Sequence, residues 1–221
     1  RINDLAGRVS KQILADSVSL LNAFLEKKFL EDNGFNEMNS MSIYIPNSYE
    51  FFWNVEPNKF RNRMLEEYND FWNEDRTKKA KSIDLSKKEV IVLASIVQKE
   101  SIKLDERPII AGVYLNRLRK KMRLQADPTV IYSIKSYYNN FDTIIRRVLY
   151  RDLKLESPYN TYKIKGLPPG PISMPDISSI DAVLDSRSHD YIFFVADPYN
   201  PGYHLFASTL RQHNKLSLIH I

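Results

Sequence analysis

Apolar residues recur at three- and four-residue spacing over residues 2–14 (INDLAGRVSKQIL) and 17–32 (SVSLLNAFLEKKFLED). That is the period of one helix face, so the chain opens on two amphipathic helices, the second ended by Asn33-Gly34. Residues 42–53 (SIYIPNSYEFFW) alternate like a strand, but Pro46 lacks the amide hydrogen a ladder needs, which predicts an edge or broken strand. Residues 57–81, centred on RNRMLEEYNDFW, predict one long polar-faced helix. Asp190–Asp197 (DYIFFVAD) and Tyr203–Ala207 (YHLFA), joined by PYNPG, predict a β-hairpin with a longer loop, and TLRQHNKL a closing helix.

The middle of the chain carries stronger punctuation. Ser86-Lys-Lys-Glu89 has the spacing of a capping box, in which a serine hydroxyl and a glutamate carboxylate each satisfy a free backbone amide at a helix start. Asp105, Arg107 and Pro108 predict another helix start, with Asp105 as cap and proline in the first turn, where its missing amide hydrogen costs nothing. Asp127-Pro128 repeats the device before TVIYSI. Ser157–Pro175 (SPYNTYKIKGLPPGPISMP) holds five prolines and two glycines in nineteen residues. It predicts a long ordered loop, and loops of that kind more often carry function than merely connect.

The helix behind Ser86 raises a chemical question. In LASIVQKES (Leu93–Ser101), Glu100 lies four residues after Ile96, three after Val97 and seven after Leu93, so it shares their apolar face, whereas Gln98 and Lys99 do not. A carboxyl there loses water and faces the negative end of the helix dipole, and both effects raise its pKa. A glutamate still protonated near neutral pH can act as a general acid. The alternative is that the helix simply reaches solvent at that point and Glu100 is a surface residue.

Composition narrows the chemistry. With 221 residues the chain exceeds a domain of about 150 residues by half. Its 43% hydrophobic and 27% charged residues suffice for a core and argue against disorder. The net charge of +5, from 32 basic and 27 acidic residues, is mild for a nucleic-acid binder. Basic clusters at 59–63, 76–82 and 117–123 read as solvated helix faces, with a polyanion partner left open. The absence of cysteine removes disulfides, thiolate metal sites and cysteine nucleophiles. No stretch approaches the ~18 apolar residues of a membrane span. The chain begins at Arg1, so an anchor or targeting segment upstream would lie outside it.

What remains is carboxyl chemistry. The four histidines (His189, His204, His213, His220) have no metal-ligand spacing, and no G-x-S-x-G, G-x-G-x-x-G or Walker A run occurs. Asp105, Glu106 and Asp127 are candidates for a second carboxylate, although helix capping also accounts for Asp105 and Asp127. Tyr159, Asn160, Thr161 and Tyr162 in the loop, with Gln125 and Thr129 near the Asp-Pro turn, offer amides, hydroxyls and aromatic faces of the kind a carbohydrate takes. The same YNTY run could equally fill a loop interface.

Three motifs in order, LASIVQKES, IAGVYLNRLRKKMRLQADPTVIYSI (Ile110–Ile134) and SPYNTYKIKGLPPGPIS (Ser157–Ser173), followed by YIFFVAD and HLFASTLRQHN, resemble the MltG/YceG-like endolytic murein transglycosylases over about residues 43–214. The resemblance implies an α+β fold: a partial helical, LysM-like module over 1–41, then a catalytic domain over 42–221 mixing helices and short strands with a C-terminal hairpin. It implies scission of peptidoglycan glycan strands, with Glu100 catalytic and Gln125, Asp127, Thr129, Asn160 and Tyr162 binding or positioning substrate. Asn116 and Arg117 are expected to be structural supports. It further implies no metal or cofactor, no nucleic acid, cell-wall synthases as candidate partners, and an extracytoplasmic domain held to the bacterial cytoplasmic membrane by one helix absent from this chain. A module of the same fold that binds glycan or a partner without catalysis is the alternative. Family members commonly read S-I-V-E-K-E where Gln98 stands here. Their E-G-x-x-x-P-D-T-Y is replaced by NSMSIYIPNSY, which puts a ligand role for that stretch in doubt.

Overall fold

The structure is a computed structural model and describes residues 1–217. Helices α1 (Ile2–Val9), α2 (Ser17–Phe24) and α3 (Lys27–Asp32) lead into a 3-10 segment, Glu37–Ile43. Helices α4 (Pro57–Phe71), α5 (Glu74–Ser82), α6 (Lys87–Glu100), α7 (Arg107–Arg119) and α8 (Asp127–Tyr137) follow. After a second 3-10 turn, Asp152–Lys154, come α9 (Ile177–Leu184), strands β1 (Phe193–Ala196) and β2 (His204–Ala207), and α10 (Leu210–Ser217). The fold is α+β, with one antiparallel hairpin in which Phe194 faces Phe206 and Val195 faces Leu205.

Helix α6 is the centre of the molecule. Every residue from Val90 to Val97 is buried, so the helix is covered all round by α7, α8, α9 and the first 3-10 segment, rather than lying on a core with one face. Its start follows the sequence expectation: the Ser86 hydroxyl accepts from the Glu89 amide, and the Glu89 carboxylate from the Ser86 amide. One contiguous core reaches from Ala6, Leu20 and Phe24 through Ile43 and Phe60 to α6 and Leu184, so segments on both sides of residue 41 pack into it.

Several boundaries differ from the periodic reading, each for a local reason. The first helix stops at Val9, where the Ser10 hydroxyl folds onto the Gly7 carbonyl and the Leu14 amide donates to Trp53 O at 2.8 Å. The second splits at Leu25-Glu26 because Arg61 takes the Ala23 carbonyl, which the next helical amide would need, and pairs with Glu26. The long helix expected over 57–81 breaks at Trp72-Asn73, where buried Trp72 ends α4 and the Asn73 side chain caps α5 through the Arg76 amide. Residues 42–53 form no strand: Ile43, Tyr44 and Ile45 are all buried, and the Tyr49 hydroxyl closes the bend onto Ile45 O.

Asp105 does not cap α7. Glu106 occupies the cap position without a side-chain cap bond, and Asp105 instead accepts from the Tyr203 hydroxyl. Two basic clusters expected on solvated faces contain buried arginines. Arg61 ties α4 to α2, and Arg117 donates to the carbonyls of Ile192 and Leu124, holding β1 and the segment before α8 against α7. With the Asn116 amide donating to His189 O and Tyr191 O, this pair ties the approach to the hairpin onto α7. Helix α9, unmarked by any long period, is capped by Asp176. Among the described residues no helix is long and apolar enough to cross a membrane.

Candidate active site

The long loop is laid against α6 by specific bonds. Gly170 passes so close to residue 38 that a Cβ there would sit 1.9 Å from the Met38 carbonyl oxygen, so only glycine fits. Beyond it, the Ile172 amide donates to the Ser95 hydroxyl at 3.1 Å and the Asp176 amide to the Gln98 side chain at 2.7 Å. Gln98 is therefore a neutral staple between α6 and the cap of α9. Arg107, itself buried, clamps Asp176, Ser178 and Ser179 from the other side.

The loop's YNTY segment is organised from within. Both amide hydrogens of Asn160 are donated, to Leu153 O and Leu155 O, and its side-chain oxygen accepts from the Tyr162 amide. The Thr161 hydroxyl bonds the Thr129 hydroxyl at 2.8 Å and accepts from the Ala126 amide, closing the loop onto the start of α8. Thr129 and Asn160 are both 0% exposed with their polar atoms engaged, so they build the wall and leave nothing to meet a ligand directly. Tyr162, by contrast, is half-exposed, and its hydroxyl donates to Asp127 Oδ1 at 2.7 Å. Asp127 therefore serves Tyr162, while the cap position of α8 is held by Ala126.

Glu100 ends α6 amid this arrangement. It keeps partial solvent contact, but protein surrounds its carboxyl, and its Oε1 accepts a 2.6 Å hydrogen bond from the hydroxyl of Tyr114 on α7. Loss of water pushes its pKa up to about 7; the Tyr114 bond and the Arg117 guanidinium pull down, and the Asp127 carboxylate adds to the rise. The bland expectation, a carboxyl in open solvent, does not describe it. Gln125 stands exposed at the rim with φ +52°, a conformation uncommon outside glycine, held by its amide on Thr161 O and by Arg117 donating to its side-chain oxygen. The structure thus gathers Glu100, Asp127, Tyr162 and Gln125 around Arg117 and Tyr114. Tyr114 was not singled out from sequence because it sits inside an apolar run, VYL, where an aromatic reads as core.

A trough of about 570 Å³ runs between α1 and α8, lined by Leu5, Arg8, Lys99, Pro128, Ile131 and Tyr132; Lys99 and Pro128 are chain neighbours of Glu100 and Asp127, neither of which lines it. A separate hollow of about 560 Å³, lined by Ile13, Tyr44, Ile45, Phe60 and Met64, shares Leu5, Arg8 and Met174 with it.

A half-buried, hydrogen-bonded glutamate at the end of the buried central helix of an α+β domain is suited to acid–base chemistry. Comparison with known proteins agrees: the model of the YceG-like family matches residues 1–217, and the chain belongs to that family. It is 43% identical over 126 residues to an endolytic murein transglycosylase of Bacillus subtilis, covering 57% of this chain and 32% of that protein. It is 33% identical over 141 residues to the endolytic murein transglycosylase of Streptococcus pneumoniae, covering 64% and 25%. The chain therefore spans a third or less of the length of these relatives. The crystal structure of a YceG-like protein from Listeria monocytogenes superimposes with a TM-score of 0.76 at 29% identity, covering 97% of this chain and 72% of that one.

Proposed function

We propose that this chain carries the catalytic centre of an endolytic murein transglycosylase, cutting the MurNAc–GlcNAc bond inside peptidoglycan strands, with Glu100 as acid and then base. The observation that carries the reading is the half-buried carboxyl of Glu100 at the end of α6, whose Oε1 accepts a 2.6 Å hydrogen bond from the buried Tyr114 hydroxyl. In the first step the protonated carboxyl gives its proton to the glycosidic oxygen as the bond to C1 of the muramic sugar breaks. In the second, the substrate's own C6 hydroxyl attacks C1 and returns its proton to Glu100. One C–O bond breaks, one forms, and no water is consumed. Because the nucleophile is built into the substrate, intramolecular proximity replaces the second catalytic carboxylate of a glycoside hydrolase.

Asp127 has a different part. Its anion beside the site opposes ionisation of Glu100 and favours the positive charge that develops at C1. Tyr162 and Gln125 border the sugar, and Thr129 and Asn160 hold the loop that presents them. Wall-building synthases are the corresponding partner class, and the place of action is the outer side of the cytoplasmic membrane.

The presence of Asp127 favours one second reading, a lysozyme-like hydrolase in which water takes the place of the C6 hydroxyl. Mass spectrometry of glycan strands digested by the purified protein separates the possibilities: 1,6-anhydro ends support transglycosylation, reducing ends support hydrolysis, and uncut strands point to a binding module.

A further inference from the structure

We propose that Tyr114 is a positioning residue that fixes the exchangeable proton of Glu100 on Oε2, the oxygen left free for substrate, and steadies the carboxylate once that proton has gone. The inference rests on the reading of Glu100 as the acid. Its geometry is simple. Tyr114 is 1% exposed, and its hydroxyl has Glu100 Oε1, 2.6 Å away, as its hydrogen-bond partner. If the carboxyl proton sat on Oε1 and pointed at the phenol oxygen, the phenol hydrogen would be left buried with no acceptor, which folded proteins avoid. The tyrosine therefore donates to Oε1 in both states, and the proton that reacts is carried by Oε2.

The phenol is itself locked. The edge-on ring of Phe194 on β1 meets it with centroids 6.0 Å apart, and Arg117, one turn further along α7, anchors the same strand through Ile192 O. Burial and the neighbouring Glu100 carboxyl push the Tyr114 hydroxyl well above its ordinary pKa, so it stays a donor throughout the working pH range. The other charged or titratable groups facing Glu100 are Arg117 from α7, Asp127 from α8 and, on the loop, Tyr162. Lys99 on α6 itself lines the trough instead.

Removing only the hydroxyl gives the test. Tyr114→Phe keeps the ring and takes away a bond that favours the ionised carboxyl, so the pKa of Glu100 rises. The alkaline limb of the kcat–pH profile should then move upward by about one unit, while kcat on the plateau falls about tenfold with KM little changed, since hydrogen bonds to charged groups have that order of effect. A residue that merely packed would lower the rate and leave the limb in place. An activity-independent readout is the titration of Glu100 by carboxyl carbon NMR in the parent and in Tyr114→Phe. An upward shift supports the proposal even if another acid performs the chemistry, whereas an unmoved midpoint overturns it. If Glu100→Gln still cleaves strands, it is the functional reading that fails, separately from this one.

Discussion

Helix α6 carries a glutamate near each end, and the two could hardly be treated more differently. Glu89 lies in the first turn, where its carboxylate accepts the Ser86 amide and faces the positive end of the helix dipole. Glu100 lies in the last turn, at the negative end, largely shielded from water and given one strong donor. The first placement closes the capping box and stabilises the fold. The second opposes the charged form of the carboxyl. The same side chain on the same helix is thus a structural cap at one end and the proposed proton source at the other, and what distinguishes them is position along the dipole and access to water.

The sharpest way to break the contrast is to neutralise the C-terminal member. Glu100→Gln should lower strand cleavage by about 10²–10⁴-fold, the usual worth of general acid–base help, with unchanged circular dichroism. It should also stabilise the protein at alkaline pH. Because the folded-state pKa of Glu100 is raised from 4.5 to about 7, its contribution to stability is intact below 4.5 and lost as pH rises through about 7. The variant's melting temperature should therefore exceed the parent's above about pH 8, and the gain should vanish in acid; equal shifts at both pH values would contradict the burial argument.

Asp127→Asn removes the anion that opposes ionisation of Glu100. It should draw the alkaline limb of the rate profile downward and reduce kcat about tenfold through lost stabilisation of charge at C1. An upward displacement would show that Asp127 acts in the opposite sense. Gly170→Ala perturbs the platform without touching the chemistry. Forcing a methyl against Met38 O should cost about 1–3 kcal/mol in urea unfolding, as overpacking does. The smallest effect belongs to the other end of α6: Ser86→Ala should cost about 1 kcal/mol and leave the pH profile of cleavage unmoved.

How much of this was legible beforehand follows the same logic. The start of α6 could be read because a capping box is a purely local device, four residues long. Glu100 could be placed on the stripe of Leu93, Ile96 and Val97 because helix periodicity is local too, although its desolvation depends on α7, α8 and the loop. The breaks after Phe24 and Phe71 were hidden because they depend on Arg61 reaching 38 residues back to Ala23 O and on the burial of Trp72. Tyr114 was hidden because nothing in VYL distinguishes a core aromatic from one whose hydroxyl meets a carboxyl. Thr129 and Asn160 read as substrate-binding residues from sequence, but their side chains are spent on neighbouring groups, a fact that only tertiary structure supplies.

The most direct measurement is the pH dependence of kcat for strand cleavage by the parent protein. A desolvated Glu100 acting first as an acid predicts a rate that holds through mildly acidic pH and declines with an apparent pKa near 7. A decline already complete in the ordinary glutamate range, or a rate indifferent to pH across neutrality, would contradict it.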